Sequence, residues 1–427
     1  MGRSKNLAIH KNKYMNYSFT LKIQQLIVFF LLLTMNIAFA QTKIEGLLYL
    51  NKKPVSVEIK DGKIVSVQQI AKLSNESHPV YIAPGLIDNQ VNGFAGVSFC
   101  LAGGELNKEG IQKVTSELWK KGVTTYFPTL TTNSQEVLFK NFATLAKSKN
   151  DEALNGSIAG YHLEGPYISP EDGYRGAHPL KFVRKPDWKE FMELYEASGR
   201  NILTVTIAPE LDGAMEFIRK CTTMGITVAI GHHNASKAIV DQAVLNGARI
   251  ATHLGNGCAN MINRHNNPLW SQLANNQLMA SIICDGFHLR DEEIAVFYKV
   301  KGPEKTIITS DVTSFATLPP GEYKNEDGET IELTKEGMLR YPAQNVLYGS
   351  ASPISIGVIH IMNVTGCTLG DAIQMASTNP AKLYGLTDRG TIAPGKRADL
   401  ILFELSDSEL VIKKTYVNGK LVYNASK

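Results

Sequence analysis

Six of the ten histidines, His162, His178, His232, His233, His253 and His288, stand at or just beyond the ends of short apolar runs between Pro84 and Asp311. Chance scatter would not concentrate them so. Glu164, His232 and His253 form a set of one carboxylate and two imidazoles. Such a set suits a catalytic divalent metal with an open position, most simply Zn²⁺, with Fe²⁺ or another divalent ion as alternatives. An ion held there would lower the pKa of a water and polarise a carbonyl. Asp311 ends the last run, where it can take the proton of that water and pass it to a leaving nitrogen. A single His or Glu at such a place is an ordinary hydrogen-bonding group. Four at the ends of runs in one barrel argue for a shared site. His233 is the weaker candidate, because neighbours on a strand point to opposite faces.

The runs that must position these groups number eight: Gly85–Val91, Thr124–Leu130, Ile158–Leu163, Ile202–Ala208, Thr227–Ile230, Arg249–His253, Ala280–Cys284 and Thr306–Thr309. Several alternate with helix-periodic segments such as Leu106–Lys121 and Asp212–Met224. Strands alternating with helices imply parallel βαβ units, and eight of them fit a (β/α)₈ TIM barrel of about 250 residues. A doubly wound open sheet is disfavoured, since no glycine-rich phosphate fingerprint follows the first run. Catalytic groups of a barrel lie at the C-terminal ends of its strands, where these polar residues fall.

The flanks read differently. Ile44–Val67, Ala398–Phe403 and Thr415–Val422 are short strand-like stretches, with turns at 51–53, Asp61-Gly62 and Asn418-Gly419. Each piece is too short to be stable alone. The expectation is a small β-sandwich domain built from both ends of the mature chain, 41–83 and 388–427, around a barrel at 84–387. Residues 1–40 combine Arg3, Lys5, Lys11, Lys13 and Lys22, an apolar run over 26–40, and an Ala38-Phe39-Ala40 exit. That pattern reads as a secretory signal peptide, starting at Met1 or Met15, with export to the periplasm. The run is too short to span a bilayer, so no anchor should remain after cleavage. If that reading fails, the protein is cytoplasmic.

The 427 residues carry +4, of which the leader contributes +5, leaving the body at −1. A nearly neutral body gives no electrostatic basis for nucleic-acid binding. Hydrophobic residues at 44% exclude whole-chain disorder. The five cysteines are odd in number and widely spaced, unlike a disulfide framework.

At this point the residues resemble a known family. Pro84-Gly85-Leu86-Ile87-Asp88, HLEGPYISPEDGYRGAHP at 162–179, GHHNA at 231–235, ATHLGN at 251–256, DGFH at 285–288, Ser310-Asp311 and GTIAPGKRADL at 390–400 are similar to the amidohydrolase superfamily, and within it to the N-acetylglucosamine-6-phosphate deacetylase family. The last motif marks the superfamily alone; the stretches at 162–179, 231–235 and 251–256 are more specific. The resemblance implies that Glu164, His232 and His253 are metal ligands and Asp311 the catalytic acid/base. It implies that His178 helps polarise the acetyl carbonyl. It places Asn256, the backbone of Gly257, Arg264 and His288 on the sugar phosphate, the last two coming partly from the neighbouring subunit of a homodimer. Many superfamily members carry His-x-His after the first strand and hold two metals. Here Gln90 and Asn92 stand there. Amide oxygens are poor ligands for such metals, so one ion is expected, with Gln90 bonding the substrate. At His233 relatives usually have a small hydroxyl residue.

The function expected is hydrolytic removal of acetyl from N-acetylglucosamine 6-phosphate, a small-molecule amino-sugar substrate. One alternative is an exported amidohydrolase acting on an unphosphorylated N-acyl amino sugar, N-acyl amino acid or cyclic amide, since sugar phosphates are cytoplasmic. Another is a binding protein without catalysis.

Overall fold

The computed structural model describes residues 42–74, 79–100, 106–325 and 328–426. The expected signal peptide and the start at Gln41 lie outside the described residues. Lys43–Lys427 form one compact unit. No helix among the described residues is long and apolar enough to cross a membrane.

Eight parallel strands form the central sheet: β5 (Leu86–Val91), β8 (Val123–Thr131), β9 (Tyr161–Glu164), β10 (Ile202–Ile207), β11 (Thr227–Ile230), β12 (Ala248–Ala251), β13 (Met279–Ile283) and β14 (Thr306–Thr309). They are hydrogen-bonded in that order. A parallel bridge from Val91 to Val312 brings the last strand's continuation back to the first and closes the cylinder. Each strand is followed by a helix, from Lys108–Lys120 after β5 and the short hairpin of β6 (Gly93–Phe94) and β7 (Val97–Ser98), to Ile354–Thr365 after β14. The first helix shows why these segments fold locally. Asn107 caps it by accepting from the Gly110 N–H, and Ile111, Val114, Thr115 and Leu118 make one buried stripe.

The strands mostly match the runs legible in the sequence, with two informative shifts. β9 begins at Tyr161 rather than at residue 158; Ile158 keeps only an isolated bridge to Tyr126. β12 ends at Ala251, not at His253. Beyond it His253 adopts φ 28°, in the left-handed region.

The two ends of the chain meet in one mixed seven-stranded sheet, in the order β21-β20-β19-β4-β1-β2-β3. It uses β1 (Thr42–Leu48), β2 (Pro54–Lys60), β3 (Lys63–Gln69), β4 (Tyr81–Pro84), β19 (Leu400–Leu405), β20 (Leu410–Val417) and β21 (Lys420–Asn424). The hairpin tips at Asp61-Gly62 and Asn418-Gly419 all take positive φ, as two-residue hairpins require. The tips pack on each other, and Ala398 N–H donates to the Gly62 carbonyl at 2.8 Å. The sheet thus folds over itself around Ile44, Val57, Ile64, Ile82 and Leu400.

Gly85 joins this sheet to the barrel. A Cβ there would sit 2.1 Å from the buried Thr124 hydroxyl. Gly85→Val is therefore expected to destabilise the fold by about 1–3 kcal/mol, as overpacking does. An unchanged Tm in thermal unfolding would contradict this.

One element was not foreseen. Between Asp311 and the helix at 354–365 the chain inserts a four-stranded antiparallel flap: β15 (Gly321–Lys324), β16 (Thr330–Leu333), β17 (Leu339–Tyr341) and β18 (Val346–Leu347). Phe315, Ile331, Leu333, Leu339 and Tyr341 give it a core of its own.

Candidate active site

Strand alternation sets the floor of the site. His162 and Glu164 lie two apart on β9, so both point into the barrel. His162 is the deeper of the two. Its ring nitrogens meet Thr129 and Thr206 hydroxyls at 3.3 and 2.8 Å, and Thr206 meets Thr252 at 2.8 Å. Burial pushes the His162 imidazole down to about 4, so it stays neutral beneath the site.

Glu164 ends β9 and turns its carboxylate to the mouth. His232, His253 and Asp311 follow β11, β12 and β14, and all three have positive φ: 51°, 28° and 54°. Non-glycine residues rarely take this region, at a cost of about 1–3 kcal/mol each. It turns each side chain inward as its strand ends. The His253 Nε2 lies 3.0 Å from Glu164 Oε1 and 3.0 Å from His232 Nε2. The His232 Nε2 lies 3.4 Å from the same carboxylate oxygen. All three residues are buried.

The protonation states show what the set can hold. The Nδ1 of His232 donates to the Tyr174 carbonyl at 2.9 Å, which leaves a lone pair on Nε2. That lone pair faces a carboxylate oxygen and a second ring nitrogen. One proton on His253 Nε2 serves only part of this arrangement, and the buried His253 Nδ1 has no partner. Ligand atoms 2.0–2.2 Å from a tetrahedral ion stand about 3.3 Å apart. The observed separations fit one divalent cation. Burial alone would raise the Glu164 carboxyl, yet hydrogen bonds and charge from His232 and His253 hold it well below its usual range.

Asp311 faces this set. Its Oδ1 accepts from Gln90 Nε2 at 2.9 Å and from Asn92 Nδ2 at 2.7 Å. Burial and the Glu164 charge push its carboxyl up to about 6. His178 lies on another side, its ring 4.4 Å from that of His232 and its Nδ1 2.8 Å from the Thr132 hydroxyl. Donor atoms of Glu164, His178 and His232 also fall within 4.8 Å of one another. Burial, then the neighbouring His232, lowers the His178 imidazole to about 3. These groups open on a cavity of about 1750 Å³ whose wall includes Asn92, Thr132, His288 and the flap. The arrangement can activate water and support hydrolysis of a carbonyl compound.

The amidohydrolase family model matches residues 81–422. The chain belongs to the amidohydrolase family. Similar proteins include the N-acetylglucosamine-6-phosphate deacetylase of Bos taurus, 33% identical over 80% of this chain and 83% of that protein. The protein of that name from Caenorhabditis elegans is 30% identical over 87% and 91%. The crystal structure of N-acetylglucosamine-6-phosphate deacetylase from Thermotoga maritima has a TM-score of 0.79 at 27% identity, covering 90% of this chain and 100% of that one.

In this amidohydrolase Glu164, His178, His232, His253 and Asp311 meet at one place, and Asn256, Gly257 and His288 line the same cavity. Two of the expected residues, Gln90 and Arg264, do not line the cavity of this chain. Gln90 is buried outside the cavity wall, and both hydrogens of its amide are used, on Glu164 Oε1 and Asp311 Oδ1 at 2.9 Å each. It braces two carboxylates whose oxygens need donors. Arg264 is exposed and does not line the cavity of its own chain, because the 258–267 loop carries it outward.

Other residues escaped the sequence reading. Asn92 holds Asp311, and Thr132 holds His178. Asp285 accepts from His288 Nδ1 at 2.8 Å and fixes that ring. Arg175 Nη1 donates to the His178 carbonyl at 2.8 Å. Arg175 and Asp285 sit inside the motifs, and Asn92 stands at the second position of the superfamily's His-x-His, so all three could have been asked for a role. Thr132 lies one residue past its strand, with no such signal.

Proposed function

We propose that the chain is a metal-dependent deacetylase that hydrolyses N-acetylglucosamine 6-phosphate to glucosamine 6-phosphate and acetate. The observation that carries this reading is the convergence of Glu164, His232 and His253 opposite Asp311 and His178 at one cavity wall. The names of the similar proteins support the substrate.

A divalent ion held by Glu164, His232 and His253, most simply Zn²⁺, would supply Lewis acidity toward water and the acetyl carbonyl. Asp311, steadied by Gln90 and Asn92, takes one proton from the attacking water. The water oxygen bonds to the acetyl carbon, the carbon–nitrogen bond breaks, and Asp311 returns its proton to the amine. His178 stabilises the charge that develops on the carbonyl oxygen. Asn256, the Gly257 backbone and His288 seat the sugar phosphate.

The exposed position of Arg264 supports a homodimer in which each arginine serves the partner's cavity. It equally favours a second reading, in which the substrate is an unphosphorylated N-acyl compound. Rates of acetate release from phosphorylated and free N-acetylglucosamine separate the two. On the first reading Arg264→Ala raises KM for the phosphorylated sugar by about 10- to 100-fold, the worth of a charged contact. A free sugar used as well as its phosphate would overturn it. We also infer export with cleavage after Ala40, as the leader's composition supports; an N-terminus near Gln41 on the protein isolated from its cells is the expected result.

A further inference from the structure

The sequence motif at 84–88 ends in Asp88, a buried acid on β5 that the chemistry above leaves unused. It lies at the seam of the barrel. β14 and β5 stand at the two ends of the strand order, so no ladder of backbone bonds joins them among the described residues. At the mouth the seam is closed by Asn92 and Gly93, whose N–H groups donate to the Val312 carbonyl at 2.8 and 3.3 Å. Further from the mouth the bonds pass through a side chain. The Asp88 Oδ1 accepts from the Ser310 N–H at 3.2 Å and the Thr309 hydroxyl at 3.3 Å, both at the end of β14. It also accepts from the Gln90 N–H on its own strand at 3.4 Å. The Ser310 hydroxyl donates to the Gln90 carbonyl at 3.4 Å and adds a second link across the seam.

These bonds grip the backbone behind one contact. Gln90 and Asp311 meet side chain to side chain, Nε2 to Oδ1, at 2.9 Å. Asp88 holds the N–H of the first and the N–H of the residue before the second. Asp311 takes φ 54°. A non-glycine residue stays in that region only where its surroundings over-determine it. The Asp311 carbonyl is held by the Asn92 amide at 3.2 Å and the Ser350 N–H at 3.0 Å. Asp88 supplies the hold on the preceding residue. Burial pushes the Asp88 carboxyl up to about 6, and its Oδ2 has no partner. The demand at this place is therefore for an acceptor at Oδ1, which a neutral acid meets as a carboxylate does.

We propose that Asp88 is a positioning residue for Asp311: its carboxyl clasps the Ser310 and Gln90 backbone across the barrel seam and so sets Asp311 against Gln90, opposite the ligand set. This inference rests on the proposed function, since it takes Asp311 as the group that moves the proton. Asp88 does not line the cavity and acts through its neighbours.

Asp88→Ala withdraws the acceptor, and Asp88→Asn keeps one oxygen for the same three donors. The expected result is that Asp88→Ala lowers kcat for N-acetylglucosamine 6-phosphate by about 10- to 100-fold, as misplacement of a reacting group does. KM and bound metal stay within about twofold of wild type, and Asp88→Asn recovers kcat to within about threefold. In an Asp311→Asn background, Asp88→Ala costs less than about threefold more, because the group it aligns is already gone. Full loss in that background, unchanged kcat in Asp88→Ala, equal loss in Asp88→Asn, or metal lost along with activity would overturn the positioning role. Failure of both Asp88→Ala and the milder Asp88→Ser to fold would assign the clasp to barrel closure and overturn it likewise. A crystal structure of whichever of these two variants folds tests the alignment without substrate. The contact between Gln90 Nε2 and Asp311 Oδ1 is expected to open beyond hydrogen-bond distance, and its survival at 2.9 Å would refute the proposal. Should the wild type release no acetate from the phosphorylated sugar, the substrate reading falls alone, and that contact still decides the alignment.

Discussion

Asp311→Asn should lower kcat by about 10³- to 10⁴-fold, toward the upper end of what general acid–base catalysis contributes, and leave the bound metal in place. The substitution is close to isosteric. The Gln90 and Asn92 amides donate to Oδ1 of Asp311, and the amide oxygen of an asparagine can keep both bonds. What is lost is the capacity to take up a proton from water and return it to nitrogen. Burial and the Glu164 charge already favour the protonated carboxyl, which suits a group that must hold a proton between two steps. Acetate release and metal stoichiometry on the same preparation check the result. Turnover above about one percent of wild type would remove Asp311 from the proton transfers.

His253→Ala and His232→Ala should each release the metal and abolish activity, since each removes one of three protein ligands and leaves the others facing an opened site. The sharper contrast is with His178→Ala. His253 Nε2 is 3.0 Å from both Glu164 and His232. The His178 Nδ1 is instead engaged by the Thr132 hydroxyl at 2.8 Å. His178→Ala should therefore retain metal and lose about 10²- to 10³-fold in kcat, as removal of one oxyanion donor does. Elemental analysis of the purified variants distinguishes the alternatives. Retention in His253→Ala together with loss in His178→Ala would transfer the ligand role from His253 to His178.

Much of the barrel was legible because buried parallel strands are continuous apolar runs, and polar residues cluster where those runs stop. The strand order and the closure through Val91 and Val312 agree with eight βαβ units. The flap at 321–347 was not legible. Its strands are two to four residues long, and periodicity over so short a stretch carries little signal. Pro319-Pro320-Gly321 and Glu336-Gly337 were its visible turn markers.

The split at Gln90 and Arg264 has the same origin. Residue type said that an amide and a guanidinium stood where substrate contacts were expected. Whether they reach a ligand depends on where the backbone sends them. Gln90 is drawn beneath the site by two carboxylate oxygens converging from β9 and from beyond β14. Arg264 is carried outward by its loop.

By itself the sequence determined the donor set and its chemistry: a carboxylate, several imidazoles and an aspartate at the ends of apolar runs. Ligand type is a property of the side chain, and strand-end placement follows from local hydrophobic pattern. Only the tertiary structure decided which donors meet within 3.0–3.4 Å and which nitrogen of His232 bears a lone pair. It alone decided that Gln90 serves Glu164 and Asp311. Those outcomes depend on strained turns at residues 232, 253 and 311 and on hydrogen bonds between groups up to 221 positions apart, and no local pattern encodes them.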